Sequence, residues 1–226
     1  MRILYVPGSC ILPVVLPAEL ITKLPKTIGL FTTAQFLEQL PAIKKSLEDA
    51  QKSVFITMPR HTRFKGQIYG CSTLAIDTTT MPVDAFLYIG DGIFHPYALL
   101  FHNDQPVYAY NPFDNSIACY TKKQIADILK KHKANLARFY QATTIGVLVT
   151  TKPGQNRMSY AEKLPSLFPQ KHFYFFLADT IDFAELENFP FIEAYVNTMC
   201  PRIGYDDTRR TSKAIVNLED ISPMLF

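Results

Sequence analysis

Apolar positions in the first half of this chain fall into short continuous runs and one longer helical stripe. The range Ala34–Ala50 carries its apolar residues on one helical face, and Pro41 is expected to kink or divide that helix. Short apolar runs predict strands at Thr27–Thr32, Ser53–Thr57, Asp84–Ile89 and Val107–Tyr110. The first half is therefore expected to contain strands separated by helical and loop segments.

The second half opens with a strong helix signal. Thr121 to Gln124 fits a capping box, and an apolar face follows from Ile125 to Tyr140. Capping-box patterns at Ser159 and Asp182 predict two later helix starts. Strands are predicted at Thr144–Val149, His172–Leu177 and Ala194–Met199.

Strands that alternate with helices of this length predict βαβ units and mainly parallel sheets. The expected fold class is α/β, with two tandem βαβ-type domains of three-layer α/β/α architecture. The predicted boundary divides the chain into 1–120 and 121–226.

Composition narrows the function classes. The chain has 226 residues, of which 48% are hydrophobic, so it has ample material for a core and is not a disordered protein. Lys plus Arg minus Asp plus Glu is 23 − 20 = +3, which argues against a nucleic-acid-binding module. Pro7, Pro13 and Pro17 interrupt the apolar N-terminus, so a secretory leader is not expected. The prediction is a cytoplasmic protein with neither a nucleic-acid nor a membrane partner.

The four cysteines are Cys10, Cys71, Cys119 and Cys200, and no two of them form a CxxC pair. In a chain of this length they do not indicate a disulfide framework. Cys119 is interpreted as a buried thiol or a linker residue. From spacing alone, the other three are also interpreted as ordinary thiols.

Polar clusters follow several predicted strands, where ligands bind in open α/β sheets. They are Gly66–Cys71, Gly90–Pro96, Thr151–Gln155, Asn197–Arg202 and the acidic pair Asp206–Asp207. A cysteine beside such a loop is accessible, and its thiolate can ligate a soft metal or an iron–sulfur cluster. Taken singly, each cluster also fits a simpler interpretation as a turn, a packed thiol, a structural histidine or a solvated acidic pair.

Four segments occur in a fixed order and together resemble one known family. They are GQIYGCS, DAFLYIGDGIFHP, TTKPGQNR and VNTMCPRIGYDD, and Gly29–Leu40 and Val6–Val14 extend the resemblance. The family is that of the diphthamide synthases, the 3-amino-3-carboxypropyl transferases that modify a histidine of elongation factor 2. By this resemblance 1–120 corresponds to the family's middle domain, with 1–25 as a joining segment, and 121–226 corresponds to its last domain.

The resemblance implies a non-classical radical mechanism. Three cysteines from three related domains hold a [4Fe-4S] cluster whose fourth iron contacts S-adenosylmethionine. In members of the family, the reduced cluster cleaves the bond from sulfur to the γ-carbon of the methionine moiety. This cleavage releases a 3-amino-3-carboxypropyl radical that adds to the target imidazole. By this resemblance Cys71 and Cys200 match two cluster ligands. The positions expected to border the cofactors are Gly90, Asp91, Gly92, His95, Lys152, Gly154, Gln155, Arg202 and Asp207, with Pro201 beside the last cysteine.

The resemblance also implies a difference, since the chain begins where the family's second domain begins. The first domain and its ligating cysteine are expected to be absent. Three explanations stay open: another polypeptide, such as a homo- or heterodimeric family partner, supplies the third ligand; Cys10 supplies it; or the scaffold has lost the chemistry. The chain is accordingly interpreted as an iron–sulfur transferase or a component of one. The alternatives are a non-catalytic subunit of a full-length family member, or a diverged α/β protein with another acceptor.

Overall fold

The computed structural model describes residues 4, 6, 8–59, 62–72 and 82–222. The chain divides into two compact units, Met1–Ile125 and Ala126–Phe226. These units meet five residues after the boundary that the sequence suggests, and the identity of each half as a family domain stays a prediction. Within the described residues, no helix has both the length and the apolar character needed to cross a bilayer.

The described part of the first unit contains a five-stranded sheet. Its strands are β1 (Thr27–Thr32), β2 (Ser53–Phe55), β3 (Ala85–Ile89), β4 (Val107–Asn111) and β5 (Ser116–Tyr120), in the order β2-β1-β3-β4-β5. The four strands β1 to β4 are parallel, and β5 is antiparallel to β4. The helices are α1 (Ala18–Lys23), α2 (Leu40–Asp49) and α3 (Phe94–Leu100), with 3-10 helices at Ala34–Gln39 and Lys122–Ile125.

The described part of the second unit contains a four-stranded sheet that is entirely parallel. Its strands are β6 (Thr144–Val149), β7 (His172–Leu177), β8 (Ala194–Asn197) and β9 (Ala214–Asn217), in the order β7-β6-β8-β9. The helices are α4 (Ala126–Gln141), α5 (Met158–Ala161), α6 (Leu164–Leu167), α7 (Arg202–Tyr205) and α8 (Leu218–Ile221), with 3-10 helices at Glu185–Asn188 and Asp207–Arg210.

Each face of the second sheet packs in its own hydrophobic core. Successive residues of a strand point to opposite faces, so alternate residues of β6 enter different cores. Ile145, Val147 and Val149 of β6 pack with Phe139 of α4 in one core. Leu148 of the same strand belongs to a second core, together with Tyr195, Phe183 and Leu186. The α/β prediction with mainly parallel sheets is confirmed.

Most predicted strands are confirmed, whereas some local signals are wrong. The predicted helix Ala34–Ala50 is divided, as Pro41 indicated, into a 3-10 helix and α2, in which proline lies in the first turn. Ser159 does not cap a helix, since α5 begins one residue earlier after Arg157. Asp182 accepts the N–H of Ala184 at 2.9 Å, but only a short 3-10 helix follows.

Lys171 closes the carboxyl end of α4. Its Nζ donates hydrogen bonds to the carbonyls of Phe139 (2.9 Å), Tyr140 (3.0 Å) and Ala142, and the residue is 7% exposed. Burial lowers the pKa of Lys171. The last carbonyls of a helix lack intrahelical partners, so a buried cation here satisfies three of them.

We expect Lys171→Met to destabilise the protein by about 2–3 kcal/mol, because buried carbonyls lose a charged donor. The exposed Lys133 lies on the same helix, and Lys133→Met is the matched control. Urea unfolding measures both variants. Equal unfolding midpoints for the two would contradict the capping role.

Candidate functional site

The Cys71 segment is attached to the carboxyl end of β1. Thr32 donates its N–H to the Gly66 carbonyl at 2.8 Å, and Ile68 donates its N–H to the Thr32 carbonyl at 2.9 Å. Gly66 has φ +76° and meets the core so closely that a Cβ there would lie 2.5 Å from Leu40 Cδ1. Glycine at this position therefore lets the chain turn against the core and leave along the sheet edge.

Cys71 itself lies in a tight turn. The N–H of Ser72 donates to the Tyr69 carbonyl at 2.9 Å, and the Ser72 hydroxyl accepts the N–H of Tyr69 at 3.2 Å. Gly70 and Cys71 occupy the middle of this turn, and the cysteine is half-buried. A cysteine held this way presents its thiol from a constrained backbone.

The loop after β3 contains the predicted residues Gly90, Asp91 and Gly92. Gly90 (φ +148°) and Gly92 (φ +70°) both adopt conformations that favour glycine. A Cβ at Gly90 would lie 2.5 Å from the hydroxyl of Tyr88, whereas one at Gly92 would meet nothing within 4 Å. Asp91 and Gly92 are exposed. The second glycine is therefore needed for the turn rather than for packing.

His95 is organised by Tyr88, a residue that sequence reasoning did not single out. The two rings stack at 5.5 Å with an interplanar angle of 12°, and Tyr88 Oη lies 3.2 Å from His95 Nδ1. Tyr88 also donates to the Asp91 carbonyl at 3.1 Å. Burial, and then the Asp91 carboxylate, raise the pKa of Tyr88, so the phenol stays protonated. Tyr88 Oη is therefore within hydrogen-bonding distance of both the Asp91 carbonyl and His95 Nδ1.

The Cys71 turn and the GDGIFHP loop lie against each other. A Cβ on Gly70 would approach Phe94 Cβ to 3.3 Å, so the turn packs on the first residue of α3. Gly70 and Phe94 are 24 residues apart in sequence, yet the structure places both motifs at the carboxyl edge of one sheet. This proximity holds within the first unit.

Cys10 occupies a different position in the first unit. Its N–H donates to the Gln35 carbonyl at 2.8 Å, and its carbonyl accepts Gln39 Nε2 at 3.1 Å. The half-buried residue packs against the core that contains Phe36 and Leu40. Its backbone is thus tied to the 3-10 helix after β1, rather than to the Cys71 turn.

Cys200 lies three residues beyond β8, in the second unit. Asn197 at the end of β8 donates through Nδ2 to the Cys200 carbonyl at 2.9 Å. The N–H of Ile203 donates to the same carbonyl at 3.0 Å. Cys200 is half-buried, and Pro201 directly precedes α7. A thiol is therefore presented at the carboxyl edge of this sheet as well.

The KPGQ loop follows β6, the neighbour of β8 in the sheet. Lys152 Nζ donates to the Thr180 hydroxyl at 3.1 Å, and the N–H of Gln155 donates to the Lys152 carbonyl at 3.1 Å. Gly154 has φ +78° with open space around it. Lys152, Gly154 and Gln155 are exposed, so this loop faces solvent at the sheet edge.

Arg202, the first residue of α7, forms an ion pair with Asp206, four residues later in the chain. Their side chains are 14% and 26% exposed. Burial raises the pKa of Asp206, and Arg202 opposes that shift. Asp207 lies 3.6 Å from Arg210. The interpretation as a plain solvated acid is therefore wrong for Asp206, which is partly buried against Arg202. The side chains of Asp207 and Arg210 are 36% and 61% exposed.

Several buried polar residues near Cys200 were not predicted. Arg157 pairs with Glu219, and their side chains are 14% and 7% exposed. Asp220 accepts the Tyr205 hydroxyl at 3.1 Å and lies 3.4 Å from His132 Nε2. The partners come from segments 15 to 88 residues apart, so no local pattern could have linked them. The consecutive acids Glu219 and Asp220 after an apolar strand were the only available signal.

Thiolate sulfur is the usual protein ligand of iron–sulfur clusters, and the two motif cysteines are half-buried thiols on constrained loops. These residues therefore fit such a cluster. Among the residues that the structure describes, no group of three or more His, Cys, Asp or Glu side chains is arranged to hold a metal ion. Cys119 is an exposed residue of β5, so the interpretation of it as a buried residue is wrong. Partial desolvation of its sulfur still raises the pKa of the thiol.

Comparisons with known proteins agree on one family. Residues 1–225 match the model of a family described as "putative diphthamide synthesis protein". The 2-(3-amino-3-carboxypropyl)histidine synthase of Pyrococcus horikoshii is 29% identical over 208 residues, which cover 91% of this chain and 59% of that protein. Subunit 1 of the Candida albicans synthase is 27% identical over 187 residues, covering 79% of this chain and 42% of that subunit.

Solved structures support the same relationship. The crystal structure of Dph2 from Pyrococcus horikoshii superposes with a TM-score of 0.74 at 28% identity, over 92% of this chain and 59% of that chain. The structure of the same protein with a 4Fe-4S cluster gives 0.72 at 27% identity, with the same coverage. This chain therefore spans about half the length of the relatives it matches.

Proposed function

Since this chain belongs to the family of diphthamide synthesis proteins, we propose that it takes part in the first step of diphthamide formation. In that step a 3-amino-3-carboxypropyl group passes from S-adenosylmethionine to a histidine of elongation factor 2. The names of the relatives support the reaction class. The chain acts as the transferase or as a component of it, in the cytoplasm where that factor works.

One observation carries the proposal: each unit presents a half-buried cysteine within a family motif at the carboxyl edge of its sheet. We assign Cys71 and Cys200 as two ligands of a [4Fe-4S] cluster. The cluster seen in a Dph2 structure supports this assignment. The third ligand comes either from Cys10 or from another polypeptide.

The remaining motif residues would bind and orient the methionine moiety. Gly92 and Gly154 leave open space beside exposed backbone, which suits close approach of a carboxylate or amine. Lys152 is exposed and offers a cation for a carboxylate, whereas Arg202 is already paired with Asp206. His95 is held against Tyr88 through Nδ1 beside the same loop. When bound, the cluster supplies the electron for cleavage of the sulfonium.

The test is anaerobic reconstitution of the purified chain with iron and sulfide. We expect bound iron and a broad absorbance in the blue part of the visible spectrum. Mass spectrometry of elongation factor 2 incubated with the reduced, loaded protein and S-adenosylmethionine should then detect the added group. A chain that retains no iron, alone or mixed with a full-length family member, would contradict the proposal.

A second candidate is a non-catalytic subunit that stabilises a full-length family member. Its supporting observation is that relatives are named as subunit 1 of a synthase and that this chain spans 42% of one of them. Size-exclusion chromatography of a mixture with a full-length relative separates the two functions. A stable complex whose activity survives Cys71→Ala and Cys200→Ala in this chain would favour the subunit role.

A further inference from the structure

Two asparagines end neighbouring strands beneath the Cys200 loop. Asn197 is the last residue of β8 and Asn217 the last of β9, and their Cα atoms are partners in the sheet register. Each is 1% exposed. Amides buried so completely usually have hydrogen-bond partners. Asn197 uses both ends of its amide, whereas Asn217 is bonded through Oδ1 and its Nδ2 has no hydrogen-bond partner within the described residues.

Asn197 uses its side chain in three directions. Nδ2 donates to the Cys200 carbonyl at 2.9 Å and to Asn217 Oδ1 at 2.8 Å, while Oδ1 accepts the N–H of Met199 at 3.1 Å. The Met199 N–H and the Cys200 carbonyl are thereby both bonded to the side-chain amide of Asn197. This pattern also defines which end of the amide carries nitrogen.

Asn217 is itself held in place from two sides. It caps α8 in a capping box with Asp220, whose carboxylate accepts the N–H of Asn217 at 3.2 Å. Gly204 of α7 approaches so closely that a Cβ there would lie 2.3 Å from Asn217 Oδ1. Because Gly204 has no side chain, α7 can pack directly against the amide of Asn217.

We propose that Asn197 and Asn217 are positioning residues that hold Cys200 in the geometry required of a cluster ligand. The inference rests on the proposed function, because it takes Cys200 to be a ligand. A ligand on a loop reaches a metal reproducibly only when a surrounding layer of hydrogen bonds fixes its backbone. Here the two strand ends supply that layer through the Cys200 carbonyl.

The experiment measures iodoacetamide labelling of Cys200 in the iron-free chain, by peptide mass spectrometry, with Cys10 of the first unit as internal reference. Asn197→Ala is expected to raise the labelling rate of Cys200 about two- to tenfold. That factor is the population change expected when the loop loses hydrogen bonds of ordinary net strength. Asn135→Ala is the control. Asn135 is 2% exposed and donates at 3.2 Å to the Ile215 carbonyl of β9 rather than to the Cys200 loop.

Asn217→Ser provides a second variant that is expected to fold, because serine retains the helix cap while its hydroxyl is too short to replace Oδ1 against Asn197. It should also accelerate labelling of Cys200, and reconstituted protein should release iron faster than wild type. Unchanged labelling in both variants, or equal acceleration in Asn135→Ala, would overturn the positioning role. Since labelling needs no iron, this outcome is separate from failure of the wild type to bind a cluster.

Discussion

The Cys200→Ala variant is expected to retain almost none of the iron that the reconstituted wild type holds, and Cys71→Ala is expected to behave in the same way. Alanine has no donor atom, and a cluster with three protein ligands loses a full iron–thiolate bond at each site. Iron content and visible absorbance after desalting measure the effect. Both cysteines are half-buried on loops whose backbones are bonded independently of the thiols. The fold should therefore survive these substitutions.

Two further cysteine variants sharpen this result. Cys119→Ala is the matched control, because Cys119 is exposed on β5 and should leave iron binding unchanged. Cys10→Ala distinguishes the two sources of the third ligand. Loss of iron in Cys10→Ala indicates that Cys10 supplies the third ligand, whereas retention of iron in the purified chain excludes Cys10 as a ligand. Wild-type iron content in both Cys71→Ala and Cys200→Ala would refute their assignment.

The second large effect is expected at the buried pair of Arg157 and Glu219. Arg157→Met should lower the free energy of unfolding by about 3–5 kcal/mol, the usual cost of leaving a buried charge without its partner. The pair joins the segment after the KPGQ loop to α8, and its side chains are 14% and 7% exposed. Urea unfolding at neutral pH measures the loss.

A double variant identifies the cause of that loss. Adding Glu219→Gln to Arg157→Met removes the buried, unpaired carboxylate. This double variant should recover a large part of the lost free energy of unfolding. Arg138→Met replaces an exposed arginine of α4 and should change stability little. If the double variant is no more stable than Arg157→Met alone, the buried charge is not the origin of the effect.

Local sequence patterns were sufficient for the buried central strands. Thr27–Thr32 and Thr144–Val149 were predicted with their observed bounds, because continuous burial on both faces leaves a continuous apolar run. The α3 helix was missed because it begins directly after GDG with Pro96 in its first turn. The antiparallel edge strand β5 was missed because partial exposure weakens its pattern, although the turn before it has Asn115 at φ +60°.

The sequence by itself determined the α/β class, the family resemblance and the two motif cysteines, since all three depend on residues close together in the chain. Only the tertiary structure decided what surrounds those cysteines. The packing of Gly70 on Phe94, the stacking of Tyr88 with His95 and the amide pair of Asn197 and Asn217 are its results. Parallel strands bring their carboxyl ends to one edge, and the residues that meet there are separated in sequence by the intervening crossovers. At its own sheet edge, each motif cysteine therefore meets residues that are distant from it in sequence.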